Sequence, residues 1–430
     1  MINKRKIITD ITIIGAAMFS MFFGAGNMIF PPYLGFCGGT AWTLGFIGYF
    51  IADIGLVIVT LLALVRVKSQ KELLVPFGRL TGSALLFAIV MCLGPLISIP
   101  RTAATTYELS IVPLLGEQSL PWVYIAFFAL VLIMCINKST VVDIVGKVLT
   151  PVLFIGLFVL IVIGIINPIG DISTPPRTES IFADGIEAGY QSMDVLAAIV
   201  FGVLIINAAE KKGYSDQKKR FGVVFAAGLV AGVGLLIVYF GLAYLGATAS
   251  GLHNMHILRT ELLTDIVLRI FPGRSGLVFF GVIAGFACLS TAVALTGSAA
   301  EYLSEITHKK IDYKIFVIAV CAFSAVVSVL GVDRLVALAT PILSVVYPPV
   351  LVAVVLSYVG KSAGKWTYRL TGYTAMLFGL YDAVSSFGLR IGFIDSLPLS
   401  RIGLSWLLPT IAAFFVGFSV DRIIKHKSLI

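Results

Sequence analysis

The run "MFFGAGNMIFPP", residues 21–32, places two glycines, an asparagine and two prolines inside the first long apolar stretch of the chain. Glycine tolerates unusual backbone angles and proline lacks an N–H group, so the run predicts an unwound turn within a helix. Such a turn frees amides at the start of one half-helix, which suit a carboxylate, and carbonyls at the end of the other, which suit a small cation. Gly24-Ala25-Gly26-Asn27 is therefore a candidate binding site. A proline-kinked packing helix is the alternative.

Hydroxyl groups supply a second set of candidate ligands. Ser290 and Thr291 are adjacent in another apolar stretch, and the side-chain carbonyl of Asn27 is of the kind that a Na⁺ site uses. Oxygen-only coordination suits a hard cation. The alternative is that each hydroxyl bonds back to its own helix, as buried serine and threonine commonly do.

Ionisable residues in apolar stretches are candidates for coupling or gating, because burying a charge is costly. Asp53 and Asp382 lie deep in their stretches, whereas Asp194 and Glu301 are predicted near a membrane face. For these acids, coupling and internal hydrogen bonding both stay open. Arg101 either pairs with an acid to gate an outer vestibule or anchors the membrane interface.

Membrane helices must position these residues. The 430-residue chain is 59% hydrophobic and only 12% charged, with a mean hydropathy of +1.03, whereas soluble proteins have about 25% charged residues. Stretches long enough to cross a bilayer as helices lie near residues 8–35, 41–65, 80–103, 120–137, 141–166, 187–209, 221–247, 275–303, 313–331, 335–358, 370–389 and 401–424. We predict an all-α integral membrane protein with about 12 transmembrane helices, in a single transmembrane domain over residues 1–430.

The basic residues indicate the orientation. With the N-terminus in the cytoplasm, every lysine and most of the 31 Lys+Arg fall on the cytoplasmic side. The basic residues on the predicted outer side are all arginines: Arg101, Arg177, Arg259, Arg269, Arg274, Arg334, Arg390 and Arg401. The positive-inside rule then predicts that both termini are cytoplasmic. The net charge of +9 is explained by orientation and does not predict nucleic-acid binding.

The residue pattern argues against an enzyme or a channel. The five cysteines are scattered through apolar stretches, and the four histidines lie in loops or the tail, without metal-ligand spacing. We find no catalytic cluster and no polar pore-lining stripe in the predicted spans. No cofactor is expected beyond a coupling ion.

Spans one and six carry interruptions at matching positions. The one in span six is weaker and lies at Phe201-Gly202. These spans would begin two five-helix repeats, about 8–166 and 187–358, followed by two appended helices over about 370–424. Repeats with an odd number of spans are inverted, and paired interruptions point to a binding site at the membrane midplane. Leu96, Ile97 and Phe201 are candidates for its apolar lining.

The second long outer loop, about 248–274, contains "HILRTELLTDIVLRIF", in which apolar residues recur at helical spacing. This pattern predicts a short helix lying across the outer face. The first long outer loop, about 167–186, is polar and contains prolines, and no helix is predicted there.

Three longer motifs resemble those of the bacterial branched-chain amino acid:cation symporter family, the leucine/isoleucine/valine carriers. They are "FFGAGNMIFPPYLG" (22–35), "GPLISIPRTAATTYE" (94–108) and "MDVLAAIVFGVLIINA" (193–208). The resemblance covers essentially the whole chain. Because that family is related to the LeuT-type transporters, it implies a LeuT-like five-plus-five inverted repeat with discontinuous helices 1 and 6.

The resemblance also implies the ligands and their places. The substrate carboxylate would meet the amides of Ala25–Asn27, and the ammonium would meet carbonyls freed in spans one and six. Na⁺ would lie between spans one and eight, held by Ser290, Thr291 and the backbone around Ser20 and Phe23. The implied function is symport of leucine, isoleucine or valine with Na⁺ across the bacterial cytoplasmic membrane, by alternating access. Proton coupling, through a titratable carboxylate, is the alternative.

Overall fold

Helix is the dominant structure in the residues that the computed structural model describes, which are 4–67, 69–117, 120–136, 150–388 and 391–427. No strand occurs in these ranges. A lipid environment offers no hydrogen bonds to the backbone, so apolar segments satisfy their own amides and carbonyls as helices. The predicted all-α class is confirmed.

The helices are numbered here in chain order. They are α1 (Lys4–Phe22), α2 (Ala25–Gly38), α3 (Trp42–Phe50), α4 (Leu56–Val67), α5 (Gln70–Leu74), α6 (Arg79–Met91), α7 (Ser98–Thr106), α8 (Val112–Leu115), α9 (Leu120–Ile136), α10 (Thr150–Ile166), α11 (Ile181–Ser192), α12 (Asp194–Lys211), α13 (Gln217–Thr248), α14 (Arg259–Ile270), α15 (Arg274–Ile306), α16 (Tyr313–Ser328), α17 (Val332–Val359), α18 (Lys365–Ser385), α19 (Gly392–Asp395) and α20 (Leu407–Lys427). Wider π-helical turns over Ile51–Gly55, Cys92–Leu96 and Tyr107–Ile111 continue α3, α6 and α7.

Seven helical stretches in the described part of the chain are long and apolar enough to cross a membrane. They are Ala25–Val67, Arg79–Leu115, Ile181–Lys211, Gln217–Thr248, Arg274–Ile306, Val332–Val359 and Leu407–His426. Shorter apolar helices cover Trp122–Ile136, Leu153–Ile166 and Tyr313–Ser328. Helix fills most of the described residues of all the predicted spans, as expected for a multi-pass membrane protein.

Backbone contacts divide the chain into two compact units. The first contains Met1–Ile54, Val90–Asp194 and Ala226–Ala337, and the second contains Gly55–Ile89, Val195–Phe225 and Leu338–Ile430. Most of the predicted site residues belong to the first unit. The single domain and the bounds of its two repeats stay predictions.

Close backbone packing through glycine positions the helices of the first unit. A Cβ added to Gly246 of α13 would lie 1.8 Å from the carbonyl oxygen of Pro32 in α2. A Cβ added to Gly185 of α11 would lie 2.0 Å from the carbonyl oxygen of Gly45 in α3. Small residues let membrane helices approach this closely. The fold therefore fixes α2 against α13, and α11 against α3.

Polar contacts connect α18 and α20 in the second unit. The Asp421 carboxylate accepts hydrogen bonds from the Thr367 amide (2.8 Å) and hydroxyl (2.6 Å), and from the Trp366 amide (3.2 Å). Two of the orphan amides of the first turn of α18 are thereby satisfied. The same unit places Asp382 of α18 against the Ser405 hydroxyl, at 2.7 Å.

The short helix predicted in the second long outer loop is present as α14. Within the first unit, the Thr260 hydroxyl donates to Glu108 (2.7 Å), and Arg259 forms an ion pair with Asp333. Arg259 also stacks on the Tyr33 ring, 4.5 Å from its centroid. The Tyr33 contact attaches α14 to α2, and the other two attach it to the segments that carry Glu108 and Asp333.

Candidate functional site

The first helix is broken at the predicted position. α1 ends at Phe22 and α2 begins at Ala25, which leaves Phe23 and Gly24 between them. Gly24 has an extended backbone (φ −123°, ψ −171°), and no side chain caps α2. The first amides of a helix have no acceptor within it, so those of α2 face the break. The predicted discontinuity of helix 1 is confirmed.

Asn27 joins three segments at this break. Its side-chain nitrogen donates to the carbonyl oxygen of Phe22 (2.8 Å) and to the carboxylate of Asp194 (2.6 Å), and it contacts the Tyr239 hydroxyl. All four side chains are buried. These contacts use the amide nitrogen, whereas the sequence suggested a role for the side-chain carbonyl. Asn27 therefore holds the end of α1 in place.

The sixth predicted span is also discontinuous, but at a different place from the one predicted. α11 ends at Ser192 and α12 begins at Asp194, and Met193 between them has a left-handed backbone (φ 65°, ψ 15°). The Ser192 hydroxyl oxygen lies 2.6 Å from the Gly189 carbonyl oxygen in the last turn of α11. Local polar groups thus produce the break without a glycine.

Phe201 and Gly202, the predicted break in this span, lie inside the continuous helix α12. A Cβ added to Gly202 would lie 2.5 Å from the Leu64 side chain within the second unit. The predicted position of the break was wrong, because α12 is continuous at these residues. Gly202 instead allows close packing of the helices. A role of Phe201 and Gly202 in substrate binding stays a prediction.

The position of Asp194 also differs from the prediction. The helix starts at Ile181, where the Ser180 hydroxyl accepts a hydrogen bond from the Ala183 amide, and not near residue 187. At 1.5 Å per residue, Asp194 lies roughly 20 Å along the span, and it is buried. Its contact with Asn27 places it at the helix break, well inside the span Ile181–Lys211 and not near its end as the sequence suggested.

Arg101, in α7, lies at both breaks. Its guanidinium donates to the carbonyl oxygens of Gln191 (2.6 Å) and Ser192 (3.3 Å), the last carbonyls of α11. A Cβ added to Gly26, in the first turn of α2, would lie 2.8 Å from Nη2 of Arg101. The residue is only 3% exposed. A side chain buried this deeply does not anchor a membrane interface, and the gating role of Arg101 stays a prediction.

Two buried carboxyl groups lie around Ser192. Its hydroxyl donates to Asp53 (2.6 Å), in the π-helical turn that follows α3, and accepts a hydrogen bond from the Asp194 amide (3.3 Å). Asp53 is fully buried, and its charge and that of Arg101 both act on Asp194. Ionised together, these three groups would carry one excess negative charge, and an uncompensated buried charge is costly.

The hydroxyls of α15 lie near the first break. Ser290 (2.9 Å) and Thr291 (3.1 Å) both donate to the Ala287 carbonyl of their own helix, as the alternative interpretation expected. The Thr291 hydroxyl is also near α2, since a Cβ on Gly24 would lie 3.2 Å from it. Phe23 is buried in the break itself. Ser20 lies in the last turn of α1 and is partly buried.

The third span is irregular where the apolar lining was predicted. Gly94 has non-helical angles (φ −88°, ψ −126°) within the π-helical turn that precedes α7. Leu96 is 37% exposed, whereas Ile97 is 1% exposed and accepts the Arg101 amide with its carbonyl (3.0 Å). The irregular turn therefore helps to place Arg101.

The sequence interpretation missed Asp194 as a central residue, and also Ser192 and Tyr239. The polar cluster "QSMD", residues 191–194, inside an apolar helix was a usable signal for the second break. Tyr239 had no such signal, because it is 212 positions from Asn27 in the chain. Among the described residues, no group of three or more His, Cys, Asp or Glu could hold a metal ion.

Sequence comparisons cover the whole chain. A family model described as "Branched-chain amino acid transport protein" matches residues 7–424. The branched-chain amino acid transport system 3 carrier protein of Pseudomonas aeruginosa is 36% identical over 428 residues, 96% of this chain and 97% of the relative. The branched-chain amino acid permeases BrnQ of Escherichia coli K12 (34% identical, 96% of each chain) and BraB of Bacillus subtilis (32%, 96% of this chain and 95% of the relative) align similarly.

Solved structures of two other transporters share the fold at low identity. Mhp1, a nucleobase-cation-symport-1 family transporter in a closed conformation with bromovinylhydantoin bound, gives a TM-score of 0.58 at 15% identity, over 97% of this chain and 93% of that one. A manganese transporter of Eremococcus coleocola gives 0.55 at 13% identity, over 100% and 97%. The predicted LeuT-like fold class is confirmed.

Proposed function

This chain belongs to the family of branched-chain amino acid transport proteins, and we propose on that premise that it is a secondary symporter for leucine, isoleucine and valine. The relatives are named as transport proteins and permeases, and both structural neighbours are transporters, so the chain is not an enzyme, as the sequence indicated. The proposal includes a bacterial cytoplasmic membrane location, cytoplasmic termini and coupling to a cation gradient.

The observation that carries this proposal is the meeting of two broken helices at one charged residue. The N-terminus of α2 and the C-terminus of α11 lie on the same guanidinium, that of Arg101. A helix N-terminus attracts anions and a C-terminus attracts cations. The carboxylate of an amino acid would lie on the amides of Ala25–Asn27, and its ammonium on the carbonyls at the end of α11.

Na⁺ is the coupling ion that we propose first. Its support is that the Thr291 hydroxyl, which donates to the Ala287 carbonyl (3.1 Å), would lie 3.2 Å from a Cβ on Gly24, so oxygen atoms of α15 lie beside the break in the first helix. Ser290, Ser20 and the Phe23 backbone complete the proposed ligand set. Neutral oxygen ligands without nitrogen or sulfur suit a hard cation such as Na⁺. No cofactor is needed.

Proton coupling is the second candidate, and the buried carboxyl groups favour it. Asp53 and Asp194 share Ser192 as a hydrogen-bond partner, and one proton would balance their charge against that of Arg101. Asp382 is the weaker candidate because the Ser405 hydroxyl contacts both of its carboxylate oxygens, at 2.7 Å.

Gradient-driven uptake of labelled leucine into proteoliposomes tests the proposal and separates the two ions. We expect an inward Na⁺ gradient at constant pH to drive accumulation, and an inward proton gradient without Na⁺ to drive none. The reverse result would select proton coupling, and no accumulation under either gradient would refute symport. Valine, which has one methylene fewer, should compete within about 10–200-fold of leucine, because one methylene in an apolar site changes binding by only about 1–3 kcal/mol. Isoleucine, an isomer of leucine, should also compete.

A further inference from the structure

Arg101 occupies the place that the proposed function gives to the substrate's ammonium group. Its guanidinium donates hydrogen bonds to the last two carbonyl oxygens of α11, those of Gln191 and Ser192. They lie at the negative end of the helix dipole, where a cation is most stable. An arriving ammonium and this guanidinium therefore compete for the same two acceptors.

The guanidinium also lies beside the place proposed for the carboxylate. Nη2 would be 2.8 Å from a Cβ on Gly26, so the guanidinium lies directly against the backbone of the first turn of α2. The Phe30 ring is 5.5 Å from Cζ on the same side of the group. A planar guanidinium in such a position can bind a carboxylate through two parallel hydrogen bonds.

We propose that Arg101 exchanges partners when the substrate binds. The substrate's ammonium takes the carbonyls of Gln191 and Ser192, and the guanidinium turns to the substrate's carboxylate beside Gly26. The carboxylate arrives together with the ammonium that displaces the guanidinium, so the buried cation exchanges two backbone carbonyl oxygens for two carboxylate oxygens. Arg101 thus determines specificity: it selects amino acids with a free carboxylate, and in the empty site it takes the ammonium's place.

This inference rests on the proposed function, and a thermodynamic cycle between Arg101 and the substrate's carboxylate tests it. Leucine and leucinol share the ammonium group and the side chain, but leucinol has a hydroxymethyl group instead of the carboxylate. Competition of each ligand against labelled leucine gives the ratio of their affinities in wild-type protein and in Arg101→Gln. We expect this ratio to fall by about tenfold or more in the variant, because leucine loses its partner while leucinol loses only a competitor.

Arg177→Gln is the matched control. Arg177 also donates to two backbone carbonyls, those of Ser250 and His253, and stacks on the Phe36 ring, 4.2 Å from its centroid, but it lies away from both breaks. This variant should keep the wild-type ratio. Arg101→Lys keeps the charge without the planar fork, so its ratio should fall less than that of Arg101→Gln. It also provides the measurement if the glutamine variant does not fold.

An unchanged ratio in Arg101→Gln, with both ligands weakened equally, would overturn the proposal, because Arg101 would then only support the end of α11. If the labelled leucine binds the variant too weakly, the thermal stabilisation by each unlabelled ligand supplies the same ratio. Failure of the proposed function gives a different result, namely wild-type protein that binds no leucine.

Discussion

At the residue scale, the contacts of Asn27 show which parts of the site are local and which are long-range. The bond to Phe22 closes the break within one helix, whereas Asp194 is 167 positions away in the chain. The glycines at 24 and 26 made the first break predictable from sequence, because their effect on the backbone is local. The two distant partners of Asn27, Asp194 and Tyr239, come from other helices, and no neighbouring residue in the sequence reveals them.

Exchanging Asn27 and Asp194 tests this contact. Asn27→Asp alone places two carboxyl groups against each other, and we expect leucine uptake to fall about tenfold or more, since a charged hydrogen bond becomes a repulsion. The double variant Asn27→Asp/Asp194→Asn restores one donor and one acceptor with reversed direction. It should recover part of the uptake, measured in the same proteoliposomes. Additive losses in the two single variants would show that the side chains do not interact.

At the element scale, the boundary of one helix decided how the sixth span was interpreted. Its apolar pattern suggested a start near residue 187, which put Asp194 close to an end and left Gly202 as the visible irregularity. The hydroxyl of Ser180 starts the helix earlier, at Ile181. Helix ends depend on single capping residues, which apolar periodicity does not detect. The existence of the span was therefore predictable, and the position of its break was not.

The glycine contact between α13 and α2 leads to a prediction at this scale. Gly246→Ala adds a Cβ where Pro32 leaves no space, so α2 must shift, and we expect the melting temperature of the purified protein to fall by several degrees. Gly222→Ala is the control in the same helix, because a Cβ there meets nothing within 4 Å. Alanine costs less than glycine in a helix by about 1 kcal/mol, so this variant should melt at or above the wild-type temperature. Equal melting of the two variants would argue against close packing at Gly246.

At the scale of the whole molecule, the sequence alone predicted the membrane class, the helical fold and the family, since composition and long motifs depend on the entire chain. The relatives align from end to end, and the structural neighbours share the fold at 15% and 13% identity. Orientation depends on interactions with lipid, and the distribution of lysines and arginines predicts it. The coupling ion depends on ions from the solvent, and transport measurements test that choice.

The Na⁺ dependence of leucine binding tests most directly whether substrate and cation meet at the broken first helix. The measurement compares wild-type protein with Thr291→Val, which removes the hydroxyl near Gly24. The control is Ser298→Ala, because the Ser298 hydroxyl of the same helix donates to the Ala294 carbonyl one turn away (2.9 Å). We expect Na⁺ to increase leucine affinity in wild-type protein and the control, and Thr291→Val to need about tenfold more Na⁺ for the same effect. Leucine binding with the same Na⁺ dependence in all three proteins, or with none, would contradict a cation site at this break.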